Sequence, residues 1–215
     1  MLYLDTANLI ELKKAFSSNI LKGVTTNPTI LLKENRKRDE IINEILASTT
    51  GIVFVQTVGE RFDEIYEDAL KIMEFKSSRI ALKIPAHLEG IEVIKRIKDE
   101  YPEVKILATA IFSVDQAILS AIAGSDFIAP YINRMENNNI DPYEVIRKTR
   151  KIYDDQGFKT KILGASFKNS NQLIDTFYAG AHTATISYEL YTSMANKDLA
   201  LLSIKKFNED AYKLS

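Results

Sequence analysis

The chain has 215 residues, of which 46% are hydrophobic, so it is long enough to bury one sizeable core. Its 28 basic and 29 acidic residues nearly cancel, which argues against an electrostatic surface for nucleic acid or a membrane. The absence of cysteine excludes disulfides, thiolate metal sites and a cysteine nucleophile.

The amino terminus, MLYLDTANL, has neither a basic segment nor a long apolar run, and no later run approaches membrane-spanning length. We therefore expect a cytoplasmic protein that acts on a small molecule, without a nucleic-acid or membrane partner.

Short apolar runs rich in Val, Ile and Phe alternate with amphipathic stretches, which is the pattern of repeated βα units. Helix-end signals support this division, with Pro102 after one helix, Ser113 and Gly124 around the next, and Pro142 at the start of another. The predicted pairs in chain order are LYLD and NLIELKKAF, KGVTTN and IINEILAST, IVFVQT and FDEIYEDALKIMEF, RIALKIP and EGIEVIKRIKDEYP, VKILATAIF and SVDQAILSAIAG, DFIAPYINR and (after the polar loop MENNNID) DPYEVIRKTRKIYDDQG, KTKILGASF and SNQLIDTFYAG, and AHTATISYEL and a long carboxy-terminal helical region.

These eight units follow one another without a composition break, linker or low-complexity segment. The simplest closure is a single (β/α)8 barrel of the α/β class over residues 1–215, with an additional helical segment at the carboxyl end. A doubly wound parallel sheet is the alternative fold for such a series of βα units. Such sheets usually carry a glycine-rich phosphate turn, and each glycine here is isolated, so a dinucleotide cofactor is not expected.

Lys83 lies in the middle of an apolar strand, IALKIPA. A buried ammonium is so unfavourable that such a lysine usually loses its proton or gains a partner. One interpretation is a lysine on a sheet edge, or one whose stem reaches water. The other is an amine nucleophile that forms a Schiff base with a carbonyl substrate. Strand alternation places Lys83 on the side of Ala81, opposite Ile80, Leu82 and Ile84, and so inside a barrel.

Barrel enzymes build their sites at the carboxyl ends of the strands, so the residues at those positions are informative. Taken singly, Thr26, Ser113 or Thr109 would be a helix cap or a loop hydrogen-bond donor. The predicted strand ends are nevertheless polar almost throughout, and this convergence favours a site. They comprise Asp5, Thr26, Asn27, Gln56, Thr109, Tyr131, Arg134, Ser166 and Lys168, with Lys83 on the fourth strand.

In order, the segments LYLDT, GVTTNPT, LKIP followed by EG, ILATAIF, APYINR and GASFK resemble the strand-end motifs of the transaldolase family. The similarity runs from end to end and is greatest to the small bacterial branch that includes fructose-6-phosphate aldolase. It implies a barrel with Lys83 as the Schiff-base lysine, no metal or cofactor, and a homo-oligomer built as a decamer of two pentameric rings. One departure is His87, near which the family usually has a small hydroxyl residue.

The chemistry of a Schiff-base aldolase gives each rim residue a candidate role. Asp5 is the candidate base for the substrate hydroxyl, although it could instead orient Lys83 or hold a backbone hydrogen bond. Thr26 and Asn27 would bind the three-carbon fragment. Gln56, Thr109 and Tyr131 would position water, and Tyr131 could itself transfer protons. Arg134, Ser166 and Lys168 would bind phosphate, with Lys168 the weakest candidate because exposed loop lysines are usually only solvated.

Three functions remain open. The first is a lyase that cleaves or forms fructose 6-phosphate, the second is a transaldolase of the pentose phosphate pathway, and the third is a sugar-phosphate binding barrel without turnover. Transaldolases tend to carry glutamate and phenylalanine where this chain has Gln56 and Tyr131, which favours the lyase.

His87 and His182 lack metal-ligand spacing and are interpreted as hydrogen-bonded or surface residues. Apolar residues at Leu199, Leu202, Phe207 and Ala211 give the last helix a face that could cover a neighbouring subunit.

Overall fold

The computed structural model describes residues 1–214, and its centre is a closed barrel of eight parallel strands in sequential order. This arrangement confirms the predicted (β/α)8 fold. Each strand pairs with the one before and the one after it, and β1 pairs with β8 to close the ring. The strands are β1 (Leu2–Asp5), β2 (Leu21–Thr25), β3 (Ile52–Gln56), β4 (Ile80–Pro85), β5 (Lys105–Ile111), β6 (Phe127–Pro130), β7 (Lys161–Gly164) and β8 (Thr183–Ile186).

Helices surround the barrel, and all of the described helices except the last bury residues against it. The described residues form α1 (Leu9–Phe16), α2 (Pro28–Leu32), α3 (Arg38–Ser48), α4 (Phe62–Met73), α5 (Leu88–Glu100), α6 (Val114–Ile122), α7 (Ile132–Glu136), α8 (Pro142–Gln156), α9 (Ser170–Tyr178), α10 (Tyr188–Ala195) and α11 (Asp198–Ala211). The short helices α2 and α7 were not predicted, and the predicted carboxy-terminal helical region consists of α10 and α11.

The sixth strand ends earlier than the sequence pattern predicted. The run DFIAPYINR was expected to be strand throughout, but β6 stops at Pro130 and Arg134 lies in α7. The reason is local hydrogen bonding, because the backbone N–H groups of Ile132 and Asn133 donate to the carbonyls of Ala165 and Ser166 beyond β7. The chain therefore turns into a helix at the rim, and Arg134 comes from that helix and not from a strand.

The barrel interior is packed with side chains from alternate positions of the strands. Tyr3, Phe54 and Phe127 meet edge to face there, with ring centroids 5.4 Å and 5.5 Å apart for successive pairs. Ala81 and Leu107 belong to the same interior cluster. Because side chains two residues apart share one face of a strand, Lys83 follows Ala81 into the barrel near its carboxyl end.

The carboxy-terminal helix differs from the others because none of its residues is buried. Leu202 is 64% exposed and Phe207 is 68% exposed, so large apolar side chains face outward along α11. None of the helices in the described part of the chain has the length and apolar character needed to cross a bilayer.

Gly90 controls how closely α5 packs against the end of the lysine strand. A Cβ atom at Gly90 would lie 1.8 Å from the carbonyl oxygen of Pro85, the last residue of β4. We predict that Gly90→Ala lowers the free energy of unfolding by roughly 3 kcal/mol, the upper end for overpacking, because helix or strand must shift. Urea denaturation measures the loss.

The matched control for Gly90 is Gly157→Ala at the end of α8. Gly157 has a φ of 72°, but no atom lies within 4 Å of its added Cβ, so only the cost of left-handed backbone remains, about 1 kcal/mol. Equal losses of stability in the two variants would contradict the packing argument.

Candidate active site

Lys83 lies inside the barrel on β4, where its side chain is only 5% exposed. Its Nζ donates a hydrogen bond to the backbone carbonyl of Thr26, 3.1 Å away. The sheet-edge interpretation of this lysine does not fit, because the barrel is closed and β4 is paired on both sides. Among the described residues no carboxylate forms an ion pair with Lys83, so its amine is held by a carbonyl oxygen rather than by an acid.

Asp5 ends β1 and is held by two threonine hydroxyls in series. The Thr25 hydroxyl donates to Asp5 Oδ1 at 2.6 Å, and the Thr25 and Thr185 hydroxyl oxygens are also 2.6 Å apart. Since each hydroxyl carries one proton and Thr25 gives its own to the carboxylate, Thr185 must donate to Thr25. This chain of hydrogen bonds from β8 through β2 orients the Asp5 carboxylate.

Thr25 and Thr185 were not predicted as site residues, whereas Thr26, the neighbour of Thr25, was. The Thr26 hydroxyl is fully buried and donates to the Phe54 carbonyl at 2.9 Å, so its contribution at Lys83 is made by its backbone oxygen. Strand alternation was the signal that could have separated the two neighbours, because Thr25 faces inward toward Asp5.

Asn27 follows Thr26 and begins α2. Its Oδ1 accepts a hydrogen bond from the Ile30 N–H at 2.9 Å, which is the N-cap interaction of that helix. Pro28 in the first turn supports the same start. The cap fixes the side chain at the rim and leaves its Nδ2 group as a donor.

Tyr131 and Thr109 form a hydroxyl pair at the rim, with their oxygens 2.9 Å apart. The Tyr131 ring also meets Phe112 edge to face, with centroids 5.7 Å apart. Ala110, directly after Thr109, has a φ of 59°, and the pairing of β5 with β6 shifts register there. Such a bulge changes the direction of the side chains around it, and it lies next to Thr109, whose hydroxyl contacts that of Tyr131. On the other side, Gln56 on β3 stands directly opposite Lys83.

The three predicted phosphate ligands lie around the ends of β6 and β7. The Arg134 guanidinium lies over the Tyr131 ring, 4.9 Å from its centroid, and is exposed to solvent. Ser166 is half-buried with a φ of 62°, and its carbonyl accepts from Asn133 in the turn leading to Arg134. Lys168 is exposed, and its backbone N–H donates to Gln172 Oε1. A backbone hydrogen bond from Asn133 to Ser166 thus connects the turn before Arg134 to the end of β7. The Lys168 side chain is exposed to solvent.

Both histidines have backbone partners. His87 is the N-cap residue of α5, and its ring nitrogens lie 3.3 Å from the Pro85 carbonyl and 3.0 Å from the Glu60 carbonyl. His182 Nδ1 accepts from the Ile162 N–H at 3.0 Å, and burial is the main cause that lowers the pKa of this histidine. In the part of the chain that the structure describes, no cluster of three histidine or acidic residues could hold a metal ion.

A closed (β/α)8 barrel that holds a buried lysine, a carboxylate and a hydroxyl pair at its carboxyl rim belongs to the class of barrel enzymes. The model of the family described as Transaldolase/Fructose-6-phosphate aldolase matches residues 2–215, and the chain belongs to this family.

Relatives of the chain carry two different names. A "Probable fructose-6-phosphate aldolase" of Streptococcus pneumoniae is 40% identical over 211 residues, which are 96% of this chain and 92% of the relative. A "Probable transaldolase" of Dictyoglomus turgidum is 33% identical, and one of Alkaliphilus metalliredigens is 32% identical, each over 209 residues, 97% of this chain and 96% of the relative. The family is enzymatic, and its members are named for aldolase and transaldolase activities.

We predict that Thr185 is a positioning residue for Asp5. Thr185→Val should lower kcat by about tenfold, because the loss of one positioned hydrogen bond is worth roughly 1.4 kcal/mol. Thr185→Ser should restore the rate, since it keeps the hydroxyl. Steady-state turnover with the enzyme's best substrate measures both effects.

Thr183→Val is the matched control on the same strand. Thr183 donates to the Met1 carbonyl at the amino end of the barrel, away from Asp5. The positioning role of Thr185 would be contradicted if Thr183→Val lowered kcat as much as Thr185→Val does. It would also be contradicted if Thr185→Val left kcat unchanged.

Proposed function

We propose that this protein is a class I aldolase that cleaves fructose 6-phosphate to dihydroxyacetone and glyceraldehyde 3-phosphate through a Schiff base on Lys83. The observation that carries the proposal is the buried Lys83 amine at the same barrel rim as an oriented carboxylate and a hydroxyl pair. The relative named probable fructose-6-phosphate aldolase, 40% identical to this chain, supports the same substrate.

The first step is attack of the neutral Lys83 amine on the ketone carbon, C2. A C–N bond forms, the carbonyl becomes a hydroxyl, and loss of water gives the protonated imine. The Thr26 carbonyl accepts one N–H of Lys83, which leaves the nitrogen lone pair free to point elsewhere. The Asn27 Nδ2 group, which the helix cap leaves as a donor, would bind hydroxyls of the three-carbon portion next to the imine.

The second step breaks the bond between C3 and C4. Asp5 takes the proton of the C4 hydroxyl, the C4–O bond becomes a carbonyl, and the electron pair of the C3–C4 bond moves into the imine. Glyceraldehyde 3-phosphate leaves, and a three-carbon enamine remains on Lys83. Thr25 supports this role because its hydroxyl engages Oδ1 and leaves Oδ2 for the substrate.

The third step separates an aldolase from a transaldolase. In an aldolase the enamine is protonated at C3 and water then hydrolyses the imine, which releases dihydroxyacetone and restores the Lys83 amine. Tyr131 is the proposed proton donor, and Gln56 and Thr109 would position the water. The 2.9 Å contact between the Tyr131 and Thr109 hydroxyls supports this arrangement because it places two exchangeable protons together at the rim.

The second candidate function is transaldolase activity, in which the enamine attacks an acceptor aldehyde before it is protonated. The relatives named probable transaldolase, which cover nearly the whole chain, favour keeping this alternative. The same Lys83 and Asp5 would serve both reactions. A barrel that binds sugar phosphates without turnover would have no use for an amine buried at the rim.

We predict that Tyr131→Phe lowers the release of dihydroxyacetone from fructose 6-phosphate by at least tenfold, because a phenylalanine ring cannot donate a proton to the enamine. Transfer of the three-carbon unit to erythrose 4-phosphate should be spared or increased in the same variant. Parallel assays of release and transfer give the ratio of the two activities.

Tyr66→Phe is the control for this experiment. Its phenol donates to Glu100 on the outer surface, so the change removes a hydroxyl away from the rim. If the parent enzyme transfers to erythrose 4-phosphate much faster than it releases dihydroxyacetone, the lyase proposal is wrong and the transaldolase alternative stands.

Arg134 is the proposed phosphate ligand, supported by Ser166 and more weakly by Lys168. We predict that Arg134→Ala raises the KM for fructose 6-phosphate by at least tenfold, because a guanidinium can bind two phosphate oxygens at once. The reactivity of unphosphorylated dihydroxyacetone should change much less. Arg147→Ala, which removes a surface arginine paired with Glu144, is the control. Equal losses for phosphorylated and unphosphorylated substrates would assign Arg134 a structural role.

The proposal includes a cytoplasmic homo-oligomer, a decamer of two pentameric rings. It is supported by the resemblance to the small bacterial branch and by the exposed apolar face of α11, which includes Leu202 and Phe207. We predict a particle mass well above the 24.3 kDa of one chain, and its reduction in Leu202→Asp/Phe207→Asp but not in Lys205→Glu. Light scattering that shows one chain at every concentration would refute assembly.

A further inference from the structure

A cavity opens at the amino-terminal end of the barrel, the end opposite the Lys83 rim. Its volume is about 580 Å3, which suits a small-molecule ligand. Lys105 and Lys161 are the first residues of β5 and β7, and they share the inward face of their strands with Leu107 and Leu163 of the interior cluster. Two lysines therefore point toward the barrel axis at its lower end.

The positive charge in this cavity is not matched by acids. Lys22 and Lys159 also line it, and none of the four lysines has an ion-pair partner in residues 1–214. Asp126 is the one acidic residue of the lining, and it is already bound by Lys98 at 2.7 Å and by the Ile106 N–H at 2.8 Å. Four ammonium groups around one concave surface create a positive potential that favours an anion.

The floor of the cavity supplies a polar side-chain group without a partner in the described residues, the Tyr3 hydroxyl. Tyr3 is only 4% exposed, and its hydroxyl forms no hydrogen bond within the described residues. A tyrosine phenol keeps its proton at neutral pH and can act as a donor, and burial raises the pKa of Tyr3 further. The Tyr3 hydroxyl is therefore available to donate to an oxygen of a ligand in the cavity.

We propose that this cavity is a second ligand site, which binds a small phosphorylated molecule. Lysines bind phosphate as point charges, and Lys105 and Lys161, on strands separated only by β6, would approach it together from one side of the barrel. The Tyr3 hydroxyl would donate to one of its oxygens. The apolar ring of Phe127, which packs on the floor with Tyr3 through Phe54, would lie against the less polar part of the ligand.

Titration calorimetry with inorganic pyrophosphate at low ionic strength tests the site. We expect one pyrophosphate per chain at this end of the barrel, with binding weakened at least tenfold in Lys105→Gln/Lys161→Gln. Tyr3→Phe should weaken it about fivefold, since one hydrogen bond is lost. Arg134→Ala should leave it in place, which separates this site from the phosphate position at the rim.

Lys13→Gln/Lys71→Gln is the control pair, because it removes two exposed helical lysines and the same amount of charge. Circular dichroism checks folding, and Lys22→Gln/Lys159→Gln replaces the first pair if Lys105→Gln/Lys161→Gln does not fold. The proposal is overturned if the parent binds no pyrophosphate, if the control pair loses as much affinity as the cavity pair, or if Arg134→Ala alone abolishes the binding.

Discussion

The position of β4 between β3 and β5 determines where the Lys83 amine lies, and the rest of the rim is arranged around it. Gln56 stands opposite Lys83 on one side, and Thr109 stands opposite Pro85 on the other. A shift of one residue in this register would turn Lys83 outward beneath the helices, because successive side chains alternate between the two faces of a strand. Closure of the barrel prevents such a shift.

The interior below the lysine is filled, which separates the two ends of the barrel. Tyr3, Phe54 and Phe127 form the aromatic part of this layer, and Leu107 and Leu163 complete it. Polar groups can therefore collect at each end without a water-filled channel between them. At the carboxyl end they surround one amine, and at the amino end they surround an open cavity.

Two residues at the rim have an unusual backbone conformation. Ala110 and Ser166 both have positive φ values, which are unfavourable for residues with a Cβ atom, and they follow Thr109 and Ala165 at the ends of β5 and β7. The two positions flank Tyr131, which pairs with Ala165 and contacts Thr109. Strain at these positions is consistent with a rim whose side-chain positions matter more than local stability.

The barrel and its lysine could be predicted because they depend on local patterns. Alternation along IALKIPA identifies the inward face of β4 without knowledge of any other strand. The Thr25 and Thr185 pair could not be found this way, since their contact joins residues 160 positions apart and depends on β1 lying between β2 and β8. The early end of β6 was missed for a similar reason, because it is set by hydrogen bonds to the end of β7.

The amino-terminal lysines illustrate a different limit of sequence analysis. Lys105 and Lys161 each begin a strand, where a lone lysine is usually just solvated, and nothing in the sequence relates one to the other. The closed barrel brings both lysines to one cavity, which the Tyr3 hydroxyl also lines, and this arrangement is visible only in the folded structure.

Borohydride reduction tests most directly whether Lys83 forms a covalent imine with a ketone substrate. The protein is incubated with dihydroxyacetone, reduced, digested and analysed by mass spectrometry, with Lys83→Met as the control that keeps an unbranched side chain. We predict a stable three-carbon adduct on the peptide that contains Lys83, and none in Lys83→Met. An active enzyme without that adduct, or with an adduct on another lysine while Lys83 stays unmodified, would contradict the account.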